Sequence, residues 1–173
     1  MSADNNLLIL GAGQYGQVAK EVAQSMGNFD RIDFLDDCNQ LAIAKLDEYK
    51  TFAKEYSHAF VAIGNADLRL SYIRKLEEAN FKLATLVSPR AYVSPSAQIM
   101  KGSIVEPMAI INANSLVRSG VIVCAGAIVN HNAVVCDGCQ LDCGSAVGSN
   151  VVLAANTKLK YNEIFDKDRA GGE

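Results

Sequence analysis

Four groups of residues in this 173-residue chain have types and spacings that can do chemistry. His58 and His131 are the only histidines. His131 stands in Val129-Asn-His-Asn132, two positions after an aliphatic residue, and is expected on an outward-facing turn. Imidazole, poised near neutral pH, is the side chain best suited to take a proton from an attacking amine or hydroxyl. His58 begins a strand beside Ser57 and is given no role. The glycine turn Gly11-Ala-Gly13-Gln-Tyr-Gly16 follows the apolar run 7–10 and precedes a helical pattern over 17–26. In that context backbone can approach a phosphate while helix N–H groups face it. Asp36-Asp37 closes a second strand about twenty positions later, where an acid can accept hydrogen bonds from a ribose or a base. Lastly, Cys136-x2-Cys139-x3-Cys143 has the look of a metal site. Its three sulfurs fall at different positions of the repeat described next, and tetrahedral zinc wants four close ligands, so no metal is expected.

The elements that must position these groups differ between the two halves. From Val87 to Leu159, every sixth residue is Val, Ile or Leu: 87, 93, 99, 105, 111, 117, 123, 129, 135, 141, 147, 153 and 159. Two positions before each lies a small or short side chain, as at Ala91, Ser103, Ala127 and Cys139. Three positions after, Gly or Asn dominates, as at Gly102, Asn114, Gly126 and Asn132. A helix needs period 3.6 and a plain strand period 2, so period 6 fits neither alone. It fits a coil of short parallel strands, one hexapeptide per face and eighteen residues per turn, about four turns in all. The aliphatic column faces inward, the small residue lets the corner close, and Gly or Asn supplies a positive φ.

The first half alternates strands with helices: strands at 7–10, 31–35, 58–63 and 81–87, a helical stretch at 45–54, and a helix over 66–79 with Leu68, Tyr72 and Leu76 on one face. That is a truncated Rossmann-like sheet with room for one nucleotide, which disfavours a dehydrogenase. The expected organisation is an α/β domain over 1–84, an all-β parallel β-helix over 85–159 and a polar tail over 160–173. Lys plus Arg number 16 against 19 Asp plus Glu, so no basic face for nucleic acid is supplied. No apolar run reaches the ~18–20 residues that span a bilayer, and no signal segment is evident. A cytoplasmic protein with free thiols is expected.

Gly11-Ala-Gly13-x-x-Gly16, Phe34-Leu-Asp-Asp37, Ala62-Ile-Gly-Asn65 with Arg69, and the hexad repeat occur in that order. This resembles the hexapeptide-repeat sugar O-/N-acyltransferases of the sialic acid O-acetyltransferase type, which include the N-acetyltransferases of nucleotide-linked amino sugars. The resemblance implies a left-handed β-helix, a homotrimer with active sites between neighbouring prisms, and acyl transfer from acetyl-CoA to a nucleotide-linked sugar for bacterial surface glycans. Acetyl-CoA would be a co-substrate, with no tightly bound cofactor. It also implies that Gly11, Gly13, Gln14, Tyr15, Asp36, Asp37, Gly64 and Asn65 hold the sugar nucleotide. His131 would be the general base in a direct attack, with Asn130 in place of the usual orienting acid. Gln140, where the family carries a second histidine, and Gly148 would bind acyl-CoA, and Cys124 stands for a family asparagine. These departures leave an alternative: a trimeric sugar-nucleotide-binding scaffold that has lost acyl-CoA. The trimer face is expected at Ile104, Ile110, Leu116, Ile122, Ile128 and Val134.

Overall fold

The computed structural model describes residues 5–166. The chain divides into two compact units after Leu86. In the first, β1 (Asn6–Leu10), α1 (Gln14–Met26), β2 (Arg31–Leu35), β3 (Ala42–Ala44), a 3-10 helix (Leu46–Phe52), β4 (His58–Val61), α2 (Ala66–Glu78) and β5 (Lys82–Leu83) follow in order. The five strands form one parallel sheet, β3-β2-β1-β4-β5. Leu7, Leu8, Ile9 and Leu10 are all fully buried, as a central parallel strand covered on both faces requires.

One helix is built on small residues, and the face of the other differs from the predicted one. Helix α1 buries Gly16, Ala19, Val22 and Ala23, while Val18 and Met26 are only half-buried. Helix α2 buries Arg69, Tyr72, Ile73 and Leu76, and leaves Leu68 exposed. Tight approach of α1 to the sheet selects its small residues, and a buried arginine occupies a position that an apolar count passes over. Strand β3 was not predicted: three residues of Ala-Ile-Ala at a sheet edge carry no alternation to read. The predicted strand over 81–87 is two strands, β5 and β6 (Leu86–Val87), which pair in different sheets.

The second unit is the left-handed parallel β-helix. Strands β6 to β19 are two residues each and recur every six residues, from Leu86–Val87 to Ile164–Phe165. They stack into three parallel sheets, β18-β15-β12-β9-β6, β19-β16-β13-β10-β7 and β17-β14-β11-β8. Register steps by eighteen residues: Val123 lies over Val105 and under Leu141, and Val129 between Ile111 and Val147. These residues, with Val117, Val135, Leu153 and Leu159, form the buried axis. At the corners, positive φ recurs every six residues from 102 to 162, carried by Gly or Asn except at Met108. Left-handed backbone costs an ordinary L-residue about 1–2 kcal/mol, which explains the Gly and Asn column. The repeat continues past the expected end at 159: Ile164–Phe165 pairs with β16, Asn162 supplies the corner, and the tail expected from 160 is part of the coil through these residues.

Ile104 and Ile122 correct the expected trimer face. Both are buried within the single chain, so they offer no surface to a partner, whereas Ile110, Leu116, Ile128 and Val134 are half-buried.

Candidate functional sites on the two units

In the first unit the glycine turn, the end of β2 and the end of β4 meet at the carboxyl edge of the sheet. The Gly11 N–H donates to the Leu35 carbonyl at 2.8 Å and the Ala62 N–H to the Leu10 carbonyl at 2.7 Å. The chain leaves β1 toward β2 on one side and later returns to β4 on the other, which opens a crevice at a topological switch point. The three glycines have different reasons. Gly11 has φ +104°, and a Cβ there would stand 2.7 Å from the Ala62 carbonyl oxygen. A Cβ on Gly16 would run into the Gly11 carbonyl, so Gly16 sets the approach of α1 to the strand. Gly13 has ordinary dihedrals (φ −67°, ψ −170°), and a Cβ there would meet nothing within 4 Å. Neither packing nor backbone strain requires glycine there, and the helix N-terminus beside it is left open. Helix α1 has no side-chain cap and no acid in its first turn, so its leading N–H groups, beginning with Gln14 and Tyr15, offer an anion site.

Asp36 serves the turn itself. One carboxylate oxygen accepts from Ala12 N–H at 2.8 Å, the other from Cys38 N–H at 2.9 Å and Asn39 N–H at 3.0 Å. These donors, Ala12 first, hold its carboxyl below the usual carboxylate range. The Ala12 carbonyl accepts from Asn39 Nδ2 at 2.8 Å and Gln17 Nε2 at 3.2 Å, so the peptide groups on both sides of Ala12 are clamped. Asp37 is exposed and accepts from Leu46 N–H at 3.2 Å. Beyond β4, the buried Arg69 donates to the carbonyls of Ile63 (2.7 Å) and Gly64 (2.9 Å). Asn65 caps α2 by accepting from Leu68 N–H at 2.9 Å. Asn39, Gln17 and Arg69 as loop holders were not predicted; their partners are backbone carbonyls, which residue type does not reveal, and that of Asn39 is distant in sequence.

In the prism, His131 is exposed at the corner between β13 (Ile128–Val129) and β14 (Val134–Val135). Both ring nitrogens are hydrogen-bonded: Nδ1 to the Asn132 side-chain amide at 3.0 Å and Nε2 to Ser149 Oγ at 2.9 Å. Asn130 acts on backbone instead. Its Oδ1 accepts from His131 N–H at 2.9 Å and from Asn112 Nδ2 at 3.2 Å. Gly148 lies one rung from Asn130, beside Ser149, and a Cβ on it would stand 3.1 Å from Asp166, so a larger residue would crowd the next rung. Gln140 belongs to another sheet, and its amide donates to Asp142 at 2.7 Å, which also pairs with Lys158 at 3.4 Å. The corner thus gathers His131, Asn130, Asn132, Gly148 and Ser149, and leaves Gln140 on the next face. Ser149 was missed in sequence, although adding one eighteen-residue turn to His131 points to it.

The cysteines are separated by the coil. Cys139 is fully buried and donates to the Ala154 carbonyl, while Cys136 and Cys143 are half-buried. Cys124 is buried against the Glu106 carboxyl, and burial pushes its thiol up. No group of three or more His, Cys, Asp or Glu that could hold a metal occurs among the described residues. No helix of the described residues is long and apolar enough to cross a membrane.

The family model of the PglD N-terminal domain matches residues 6–76. The acetyltransferase domain of PglB from Neisseria gonorrhoeae, solved in complex with acetyl coenzyme A, superposes with a TM-score of 0.89 at 29% identity, over 93% of this chain and 82% of that one. A variant of perosamine N-acetyltransferase from Caulobacter crescentus, in complex with CoA and GDP-perosamine, gives 0.78 at 22% identity, over 94% and 91%. WeeI from Acinetobacter baumannii gives 0.58 at 15%, over 88% and 93%. The last two share the fold with this chain.

Proposed function

We propose that the chain is a nucleotide-sugar acetyltransferase that moves an acetyl group from acetyl-CoA to an amino or hydroxyl group of a nucleotide-linked sugar; the match of residues 6–76 to the PglD N-terminal domain and the similarity to the PglB acetyltransferase domain support this reading. The observation that carries the reading is His131, exposed at a prism corner with its ring held at both nitrogens. The diphosphate lies against Gly13 and the first turn of α1, with Gln14 and Tyr15 beside it, and the loop of Gly64 and Asn65 lines the same edge. Asp37 reaches the nucleoside; Asp36 holds the turn. The sugar nitrogen or oxygen attacks the thioester carbon, a C–N or C–O bond forms, and the C–S bond breaks. His131 takes the proton of the nucleophile and returns it to the departing thiolate. Asn130 fixes the backbone beneath the ring. Acetyl-CoA lies along the prism past Gly148 toward Gln140 as a co-substrate. The working particle is a homotrimer in the cytoplasm, where acetyl-CoA is available, and its product feeds surface-glycan assembly. The similarity to a PglB acetyltransferase domain solved with acetyl coenzyme A supports the donor.

His131→Ala tests the base. The side chain is exposed, so melting should barely move. Turnover with acetyl-CoA and a UDP-linked 4-amino sugar should fall about 10²–10⁴-fold. Full activity in that variant overturns the mechanism. One observation favours a second reading, a scaffold without donor binding: the Gln140 amide is already engaged by Asp142. Titration with acetyl-CoA separates the two, since a folded protein without saturable binding is the scaffold.

A further inference from the structure

We propose that the Ser149 hydroxyl relays the proton between the attacking group and His131; this rests on His131 being the base. Both nitrogens of the ring already have partners, at 3.0 Å (Asn132) and 2.9 Å (Ser149 Oγ). A nucleophile therefore reaches the imidazole lone pair only by displacing a partner or by working through one. Of the two partners, the hydroxyl alone can donate one proton and accept another through a single oxygen. The contact is built into the coil. Ser149 follows His131 by eighteen residues, and the next residue, Asn150, donates its N–H to the His131 carbonyl at 3.2 Å. The same two rungs are tied a second time: Asn130 N–H donates to the Val147 carbonyl at 3.0 Å. Asn130 is excluded as the ring's partner because its Oδ1 is held by His131 N–H and by Asn112.

In the working state, Nδ1–H donates to the carbonyl end of the Asn132 side chain and Nε2 accepts from Ser149 Oγ–H. As the amide stands, its Nδ2 faces Nδ1 at 3.0 Å, and a half-turn of the Asn132 side chain brings its carbonyl oxygen there instead. As the sugar nitrogen bonds to the thioester carbon, its proton passes to Ser149 Oγ while the serine proton passes to Nε2. The imidazolium so formed gives its proton back through the same hydroxyl when the C–S bond breaks and the thiolate leaves. Ser149 ends unchanged, and no acyl-serine forms.

The experiment compares wild type, Ser149→Ala, Ser149→Thr and His131→Ala with acetyl-CoA and a UDP-linked 4-amino sugar, reading release of the CoA thiol. Ser149→Ala should lose roughly 10–100-fold in kcat, part of the ~10²–10⁴ that a positioned acid–base group supplies, with both KM values unchanged. Ser149→Thr, which keeps the hydroxyl, should stay within about threefold, a cost below 1 kcal/mol. Rates in mixtures of light and heavy water should curve for wild type, where two protons move together, and run straight for Ser149→Ala. Wild-type kcat in Ser149→Ala, or a straight wild-type plot, overturns the relay. If His131→Ala is inactive while Ser149→Ala is fully active, the relay alone fails; if His131→Ala is fully active, the base fails with it. Nitrogen-15 spectra of the two histidines give a reading that needs no substrate. The relay requires the His131 proton on Nδ1, and a proton on Nε2 in wild type overturns it.

Discussion

Gly13→Val separates a glycine that serves a ligand from glycines that serve the fold. At φ −67° and ψ −170° the backbone of residue 13 already lies in extended space, which a β-branched residue adopts readily. A Cβ there would touch nothing within 4 Å. Restricting the unfolded chain stabilises by about 0.4–1 kcal/mol. Losing a favoured N-cap residue costs a similar amount, about 0.5–1 kcal/mol. The two nearly cancel, so the melting temperature should move by less than about 2 °C. Binding should suffer instead, because the isopropyl group fills the approach to the first N–H groups of α1. A hydrogen bond from such a group to a charged phosphate is worth about 1.5–3 kcal/mol, so losing one weakens binding roughly ten- to a hundredfold. Calorimetric titration with UDP and with GDP, each alone, measures the loss. Gly16→Ala is the control: its Cβ would run into the Gly11 carbonyl, and overpacking of about 1–3 kcal/mol should lower melting by roughly 3–10 °C. If Gly13→Val binds as wild type does, or melts as low as Gly16→Ala, the assignment of the phosphate site is wrong. It is equally wrong if the wild type binds neither nucleotide.

Met108 has φ +65° in a column otherwise filled by Gly and Asn, and is exposed, so Met108→Gly should relieve about 1 kcal/mol and raise melting by roughly 2–4 °C. Unchanged or lower melting in calorimetry would show that the strain is offset elsewhere. Burial raises the Glu106 carboxyl above its ordinary value, against the pull of Ala125 N–H and the Cys124 thiol. A raised folded value means the native state binds more protons than the unfolded chain across that window. Stability should therefore fall as pH rises from the ordinary glutamate value through the raised one, and stay level above it. Glu106→Gln should remove that fall and melt higher at neutral pH; a pH–melting curve identical to that of wild type would contradict it.

The β-helix was legible because one geometric unit is copied along the chain. A single register fixes the inward column, the corner residues and the eighteen-residue step, down to Val129 lying under Val147. Helix faces were less legible. In α1, closeness to the sheet selects Gly16 and Ala19, which a search for large apolar residues overlooks, and in α2 the buried Arg69 is recognisable only once its carbonyl partners are known. The candidate sites divided in the same way. The glycine turn and His131 could be found by residue type and local context. Asp36, read as a ligand acid, also clamps Ala12, a role hidden in sequence because nothing local reveals which distant N–H groups face a carboxylate. Asn130 similarly turns to backbone, and the imidazole takes its partners from the adjacent residue and from the next rung.

The eighteen-residue rise between His131 and Ser149 constrains how this sequence can change in length. Inserting one whole turn between them would keep every corner and every aliphatic column in place, yet carry Ser149 two rungs away, about 9.6 Å along the axis at the usual strand spacing. Inserting a single hexad would rotate Ser149 to another corner altogether. A deletion of either size separates the pair as surely. The turn of chain from 131 to 149 is thus locked to zero net insertion, whereas whole turns added outside it leave the pair undisturbed. Length variation compatible with a paired imidazole and hydroxyl should therefore lie at the ends of the prism, in steps of eighteen.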